Sequence, residues 1–261
     1  MALAILQIGT LWQRELVRFL RQRSRVIGAF LQPLVFWLLL GIGLNASFHP
    51  AGLPRGVSYV EYFYPGVIAL VLLFTAIFAT ISTVEDRKTG FLQGVLVAPI
   101  SRWSVVMSQA LGGTTLALMQ GVIFLCLAPL AGIALSASAV LLAIVMMALV
   151  GFALTNIGLI IAWRIQSTQG FHAIMNLILI PIWLLSGAFF PASGAPGWLQ
   201  CTMRLDPLTY GMAALRQSLY LANPSAVGSL PALAASAAIT LGFALVTYLA
   251  AIGVAYRAAA A

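Results

Sequence analysis

Apolar residues along this chain come in long blocks, and the charged residues sit in the gaps between them. Residues 26–44 and 62–84 carry no charge, and residues 103–163 run uncharged for long enough to cross a hydrocarbon core of about 30 Å twice. A turn is therefore required inside that last stretch. Pro129, Gly132 and Ser136-Ala137-Ser138 supply its chemistry, dividing the stretch into spans near 104–132 and 139–163. A fifth span covers about 171–190. A sixth begins near Pro231, a residue tolerated in the first turn of a helix, and ends at Tyr256-Arg257. The pattern predicts an all-α, polytopic membrane protein of six transmembrane helices, a single membrane domain over 1–261 with no internal repeat. The block at 26–44 is longer than the apolar core of a signal peptide and further spans follow it, so it reads as a retained span.

Ahead of the first span the period changes. Ile5, Ile8, Trp12, Leu16 and Phe19 recur at helical spacing, with Arg14, Arg18, Arg21 and Arg25 as the opposite stripe. This predicts an amphipathic interfacial helix within residues 1–25. It serves either as a membrane-surface anchor or as a lever packed beside Glu85 and Asp86, whose charge complements the arginines.

Composition agrees with this class and removes others. Hydrophobic residues make up 62% of the chain and charged ones only 7%, too few to clothe a water-facing globule. The formal net charge of +8 would suit nucleic acid, but the arginine cluster beside the first span reads as membrane orientation instead. Six spans put both termini on one side. Assigning that side to the cytoplasm places Arg14, Arg18, Arg21, Arg23, Arg25, Arg87, Lys88, Arg102, Arg164 and Arg257 inside, and leaves Arg55, Arg204 and Arg216 outside. That is the positive-inside pattern. Cys126 falls in a span and Cys201 in an external segment, which argues against a disulfide.

Two polar segments stand out. The first, in the cytoplasmic loop after span two, is Glu85-Asp86-Arg87-Lys88-Thr89-Gly90, followed by Phe91, Leu92, Val95 and Leu96 as a small apolar face and by Pro99 and Arg102. The acids fall at a helix C-terminus, where the dipole disfavours them by roughly 0.3–1 kcal/mol each, only partly offset by Arg87 and Lys88. A short helix weakened by Gly90 and Gly94 and stopped by Pro99 fits docking to a partner better than autonomous stability. The second segment spans 191–230. Ser186-Gly187 interrupts the fifth span, and Phe189-Phe190-Pro191, Pro196-Gly197-Trp198-Leu199 and Asp206-Pro207-Leu208-Thr209-Tyr210 add turns and interfacial aromatics. Leu208, Met212, Leu215 and Leu219 then recur at helical spacing. This predicts one or two short helices lying in or re-entering the outer interface, with Trp198, Tyr210 and Tyr220 at headgroup depth.

With Gln32-Pro33-Leu34 in span one, Glu85 to Gly90 and Ala98-Pro99-Ile100-Ser101-Arg102 in the loop, Leu185-Ser186-Gly187-Ala188-Phe189-Phe190-Pro191, and the stretch from Arg204 to Arg216, the chain resembles the permease subunits of the ABC-2 exporter family, which include Nod-factor, drug and polysaccharide permeases. It departs from the family pattern in Asp206, where Asn usually precedes Pro, and in Phe91, where a small polar residue is common. The resemblance implies a coupling helix at 89–98 against a separate ATPase subunit, with Glu85, Asp86, Arg87, Lys88, Thr89, Gly90, Phe91, Leu92, Val95 and Leu96 as coupling residues. It implies two permease subunits, a homodimer, with two ATPase subunits in a bacterial inner membrane. ATP and Mg would be bound by that partner, since the chain has no Gly-x-x-x-x-Gly-Lys-Ser/Thr of its own. Thr75, Ser82, Thr115, Gln120, Thr155, Asn156 and Asn176 are candidates for a substrate pathway, or equally for helix-packing hydrogen bonds. Ser186, Gly187, Phe189, Phe190, Pro191, Asp206, Pro207 and Tyr210 mark a candidate external gate region.

Two other classes fit less well. An ion-coupled secondary transporter needs an ionisable group inside the membrane, and the spans carry no Asp, Glu, Lys or Arg well inside them; Glu61 is at an edge. An intramembrane enzyme needs a convergent catalytic set, and the only histidines are His49 in a loop and His172 near the end of span five. No catalytic residue, metal site or cofactor of the chain itself is expected. The cargo expected of an apolar pathway is amphipathic: drug-like, lipid-linked or glycan.

Overall fold

A computed structural model describes residues 2–50, 52–53, 56–98 and 100–258. They form ten α-helices with short π and 3-10 extensions. Six of the helices are long and apolar enough to cross a membrane.

The surface helix is α1 (Ala2–Arg21), which ends where Gln22 leaves helical geometry at φ −89° and ψ 80°. The first span, α2 (Arg23–Phe36), begins beyond that break and runs on through a π segment, Trp37–Ile42. Arg25 therefore belongs to the span and not to the surface helix, a correction to the single stripe expected over 1–25. An i+4 periodicity carries straight across a one-residue kink and cannot reveal it.

The centre of the bundle is α3 (Tyr59–Lys88), whose most apolar stretch is 94% buried by the other helices. At 30 residues it is about 45 Å long, more than the hydrocarbon core needs, so its last turn with Glu85 to Lys88 projects beyond the apolar zone. Its start is fixed by a reciprocal cap: the Ser58 hydroxyl accepts from Glu61 N and the Glu61 carboxylate accepts from Ser58 N. Around it stand α5 (Arg102–Leu127), α6 (Ala137–Ala162) and α7 (Thr168–Trp183), with α2 and the α7 extension Leu184–Ala188. Between α3 and α5 lies α4 (Phe91–Val97), and after α7 come α8 (Gly197–Leu205), α9 (Pro207–Leu219) and the last span, α10 (Leu233–Ala258). The last span starts after Pro231, its first capping bond running from Ser236 N to Ala232 O, so the proline precedes the helix instead of opening it.

Small residues set the helix spacing. A Cβ on Gly113 would stand 2.5 Å from Thr155 Cγ2, and one on Gly158 2.5 Å from Thr80 Oγ1, so α5–α6 and α6–α3 approach as closely as only glycine allows. The external segment forms two helices of opposite character. Trp198 on α8 is 71% exposed, whereas Leu208, Met212, Leu215 and Leu219 of α9 are buried against α3, α6 and α10. Helix α9 thus re-enters the bundle as a plug. Tyr220 at its end is buried too, its hydroxyl donating to Glu61 O at 2.8 Å.

Candidate functional site

At the end of the bundle that carries α4, the acids of the charged island are gathered by arginines from two other helices. Arg14 of α1 grips Asp86 with both amino groups, Nη1 to Oδ2 at 2.8 Å and Nη2 to Oδ1 at 2.9 Å. Arg18 bonds Asp86 as well and reaches Glu85 Oε2 at 2.8 Å. Arg25 of α2 takes the other Glu85 oxygen. Asp86 is only 2% exposed, so the surface helix is not simply lying on a membrane: Arg14 and Arg18 turn inward to the island while Arg21 stays exposed. Three guanidiniums resolve the conflict between the acids and the helix dipole. The bidentate bond to Asp86 is the main reason the Arg14 guanidinium is held above its ordinary pKa.

One participant gave little sign of itself in the sequence. Glu15, the single acid of α1, is buried against α5, its Cβ 3.0 Å from where a Gly112 Cβ would lie. It accepts from Ser82 Oγ at 2.8 Å and from Arg14 at 3.0 Å. Burial pushes its carboxyl above the ordinary glutamate range, against the lowering effect of the Ser82 bond. An acid alone in a basic stripe was the available signal.

The same loop fastens other helices. Gly90 adopts φ +77°, the left-handed turn that lets the chain leave α3 and start α4. Arg14 lies 3.6 Å from the Phe91 ring centroid, so one guanidinium joins α1, α3 and α4. Arg87 donates to Trp163 O at 2.6 Å and Ala162 O at 3.2 Å, closing the C-terminus of α6. Arg102 donates to Tyr256 O of α10 at 2.7 Å.

The apolar face expected on α4 is divided by this packing. Leu92 and Val95 turn inward and are buried in a cluster with Val105, Val106, Ala110, Leu159, Trp163, Ala251 and Ala255. Lys88, Thr89, Gln93 and Gly94 are exposed, as are Phe91 at 38% and Val97 at 89%. Two leucine- or valine-sized side chains gain more from a ready apolar cleft than from waiting for a partner, which is why half of the face is consumed internally. The side chain of Leu96 and residue Pro99 lie outside the described residues, as does Arg55.

The polar residues of the spans mostly serve packing. Thr75 Oγ1 bonds Gln120 Oε1 at 2.9 Å between α3 and α5, and Thr155 donates to Gly151 O. Thr115 accepts from Trp12 Nε1 at 3.1 Å, tying α1 to α5, and Ser82 is held by Glu15. Asn156 is fully buried and donates to Phe152 O, while its Oδ1 has no partner among the described residues. Asn176 stands apart from these: it faces outward from α7, and Gln32 does so from α2.

At the opposite end the candidate gate residues meet around Gly187. Its φ of +79° breaks the π extension of α7, and its carbonyl accepts from Tyr62 Oη at 2.8 Å and Arg216 Nη2 at 3.0 Å. Arg216, unnoticed as a buried group in the sequence, is 4% exposed and also donates to Tyr62 O at 3.2 Å, with the Tyr62 ring 3.8 Å away. Among the described residues no carboxylate pairs with it. Phe189 packs on Phe48, Tyr59 and Phe63, and Phe190 on Phe189. Ser186 is buried and donates to Trp183 O. Pro191 sits beside Ser186, Gly187, Thr209 and Arg216 around a cavity of about 60 Å³. Asp206 caps α9, accepting from Leu208 N at 2.9 Å, with Pro207 at the first helical position. Burial raises the Asp206 carboxyl to about 6. Tyr210 donates to Arg204 O at 3.0 Å. Cys126 and Cys201 are free, and among the described residues no group of three or more His, Cys, Asp or Glu could hold a metal.

Residues 6–220 match the family model described as ABC-2 type transporter. The chain is similar to a protein of Cyanophora paradoxa named as transport permease ycf38, 26% identical over 81% of this chain and 73% of that protein. It is similar to nodulation protein J of Sinorhizobium fredii, 26% identical over 80% of this chain and 79% of that one. A protein of Escherichia coli named as multidrug ABC transporter permease YbhR is 25% identical over 65% of this chain and 46% of its own length.

Proposed function

The chain belongs to the ABC-2 type transporter family, and from that premise we propose that it is the permease subunit of an ATP-driven exporter in a bacterial-type cytoplasmic membrane, with both termini in the cytoplasm. A separate ATPase subunit, in two copies, docks on the outward face of α4 and supplies the ATP and Mg chemistry. The observation that carries this reading is the clasp around Arg14, where one guanidinium touches Asp86 of α3, the Phe91 ring of α4 and Glu15 beside it on α1. A push on α4 reaches the central helix and the surface helix through a single group, and reaches α6 through Arg87. In this reading Lys88, Thr89, Phe91 and Val97 meet the ATPase, whereas Glu85, Asp86, Arg87, Leu92 and Val95 hold α4 to the spans behind it.

A second copy of the chain completes the pathway. Gln32 and Asn176 project from the outer faces of α2 and α7, where hydrocarbon would leave their amides unsatisfied. Facing the same residues of a second permease, they would line a route between the halves. Cargo passing there is amphipathic, drug-like, lipid-linked or glycan in kind, consistent with an apolar lining bearing amides and no charge. The test is co-purification of the chain with its ATPase from a neighbouring reading frame, followed by ATP hydrolysis in liposomes. Val97→Asp should abolish complex formation while leaving membrane insertion intact. A complex that survives Val97→Asp and Phe91→Ala together would place the ATPase elsewhere and overturn this docking.

A further inference from the structure

At the α4 end, three transmembrane helices finish at one level and each contributes an arginine: Arg87 from the last turn of α3, Arg164 just past α6 and Arg257 from the last turn of α10. Together with Trp163, Gln166, Val254 and Ala258 they line an open cleft of about 440 Å³. Its volume is within the roughly 300–1,000 Å³ of small-molecule sites and unlike the convex face of α4. No acid lines it. Arg87 has one amino group committed to the α6 carbonyls. Arg164 and Arg257 are exposed and form no ion pair among the described residues. A second, independent observation points the same way: Trp163 is 2% exposed, yet its indole Nε1 has no hydrogen-bond partner among the described residues. A buried N–H without an acceptor normally costs about 1–3 kcal/mol, so this corner of the cleft wall is short of an acceptor.

Every polar side chain but Gln166 in this lining is a donor, and three of them are guanidiniums. A ligand that suits this lining is rich in acceptors, anionic and situated where spans end, at the depth of lipid headgroups. We propose that the cleft binds the phosphate group of an anionic phospholipid from the leaflet on that side, held by Arg87, Arg164 and Arg257. A soluble protein is the poorer occupant, because the cleft is concave and Trp163 packs behind the buried face of α4 with Leu92 and Val95. That position gives the site a consequence. The ends of α6 and α10 are the floor on which α4 rests, so a bound headgroup would brace the floor.

The test uses the full chain in detergent, exchanged against mixtures of phosphatidylglycerol and phosphatidylcholine, with retained lipid counted by native mass spectrometry. Wild type should retain phosphatidylglycerol preferentially, and Arg164→Gln/Arg257→Gln should weaken retention about tenfold. Both residues are exposed, and an unchanged thermal midpoint would establish that the variant folds. Arg164→Lys/Arg257→Lys, which keeps charge but loses the planar fork, should fall between the two. Arg204→Gln, at the other end of the molecule, should match wild type. Equal retention by wild type and the double Gln variant would overturn the proposal. So would displacement of the lipid by millimolar inorganic phosphate, which would make free phosphate the ligand.

Discussion

At the α4 end, Asp86 is met by two guanidiniums and Glu85 by two, with Arg18 shared between them. At the α9 end, Arg216 is more deeply buried than any arginine of that cluster and has carbonyl oxygens and a phenol ring in place of a carboxylate. The first arrangement is a set of matched charges in which Glu85 and the three arginines are partly open to water, so that their contacts can be exchanged for solvent at modest cost, while Asp86 is the buried point they gather around. The second is a buried cation held by two carbonyls and one phenol ring, with no carboxylate among the described residues to replace a lost contact. A clasp that can slip faces the side where force would arrive. At the far end Arg216, Gly187 and Tyr62 are tied to one another by hydrogen bonds.

Substitutions can break this contrast. The largest effect is expected from Asp86→Ala, which strands Arg14 and Arg18 around a buried void and should lower stability by about 3 kcal/mol, read as a drop in the thermal midpoint together with easier tryptic cutting near the break at Gln22. Arg216→Met comes next. It removes an uncompensated charge of similar length but leaves the carbonyls of Tyr62 and Gly187 with one donor fewer, a net cost of about 2 kcal/mol. If Arg216→Met cost more than Asp86→Ala, Asp86 would not be the fixed buried point of the clasp. Salt should separate the two ends without mutation. Near 1 M, where the screening length is about 3 Å, α1 should become more accessible to protease while α9 is unchanged.

The smallest expected effect is a gain. Asp206 has a folded pKa of about 6 against an ordinary value of 3.8, so its protonated form is the one the folded state prefers. Its contribution is fully present below about pH 3.8 and is lost as pH rises through about 6. Asp206→Asn keeps the cap on Leu208 N without the charge and should raise stability by about 1 kcal/mol at pH 7, the advantage shrinking toward zero near pH 4. Thermal midpoints of both proteins across that range would check it; a constant difference would mean that charge is not the cause.

Much of the scaffold could be read from the residues in order. The uncharged blocks locate all six spans because hydrocarbon imposes one rule on every residue of a span. The match between the N-terminal arginines and Glu85 or Asp86 was visible as charge complementarity. What periodicity could not supply was the neighbour of each face. Whether Leu92 and Val95 look outward or inward depends on Leu159, Trp163 and Ala251, which arrive from helices far along the chain. Likewise Arg216 lies in a segment whose helical spacing implies a surface helix, and only the insertion of α9 between α3 and α10 makes it a core residue. Glu15 escaped notice for a related reason, since its partner Ser82 is 67 residues away.

The break at Gln22 has a consequence for how the molecule is made. Arg18 lies before it and Arg25 after it, and both are held by the one carboxylate of Glu85. Backbone bonds at Gln22 shape the corner between the surface helix and the first span locally, but the side-chain tie across it waits for Glu85. Because Glu85 lies 60 residues beyond Arg25, that tie can form only after the far end of α3 has left the ribosome, and it joins the elbow to the second span.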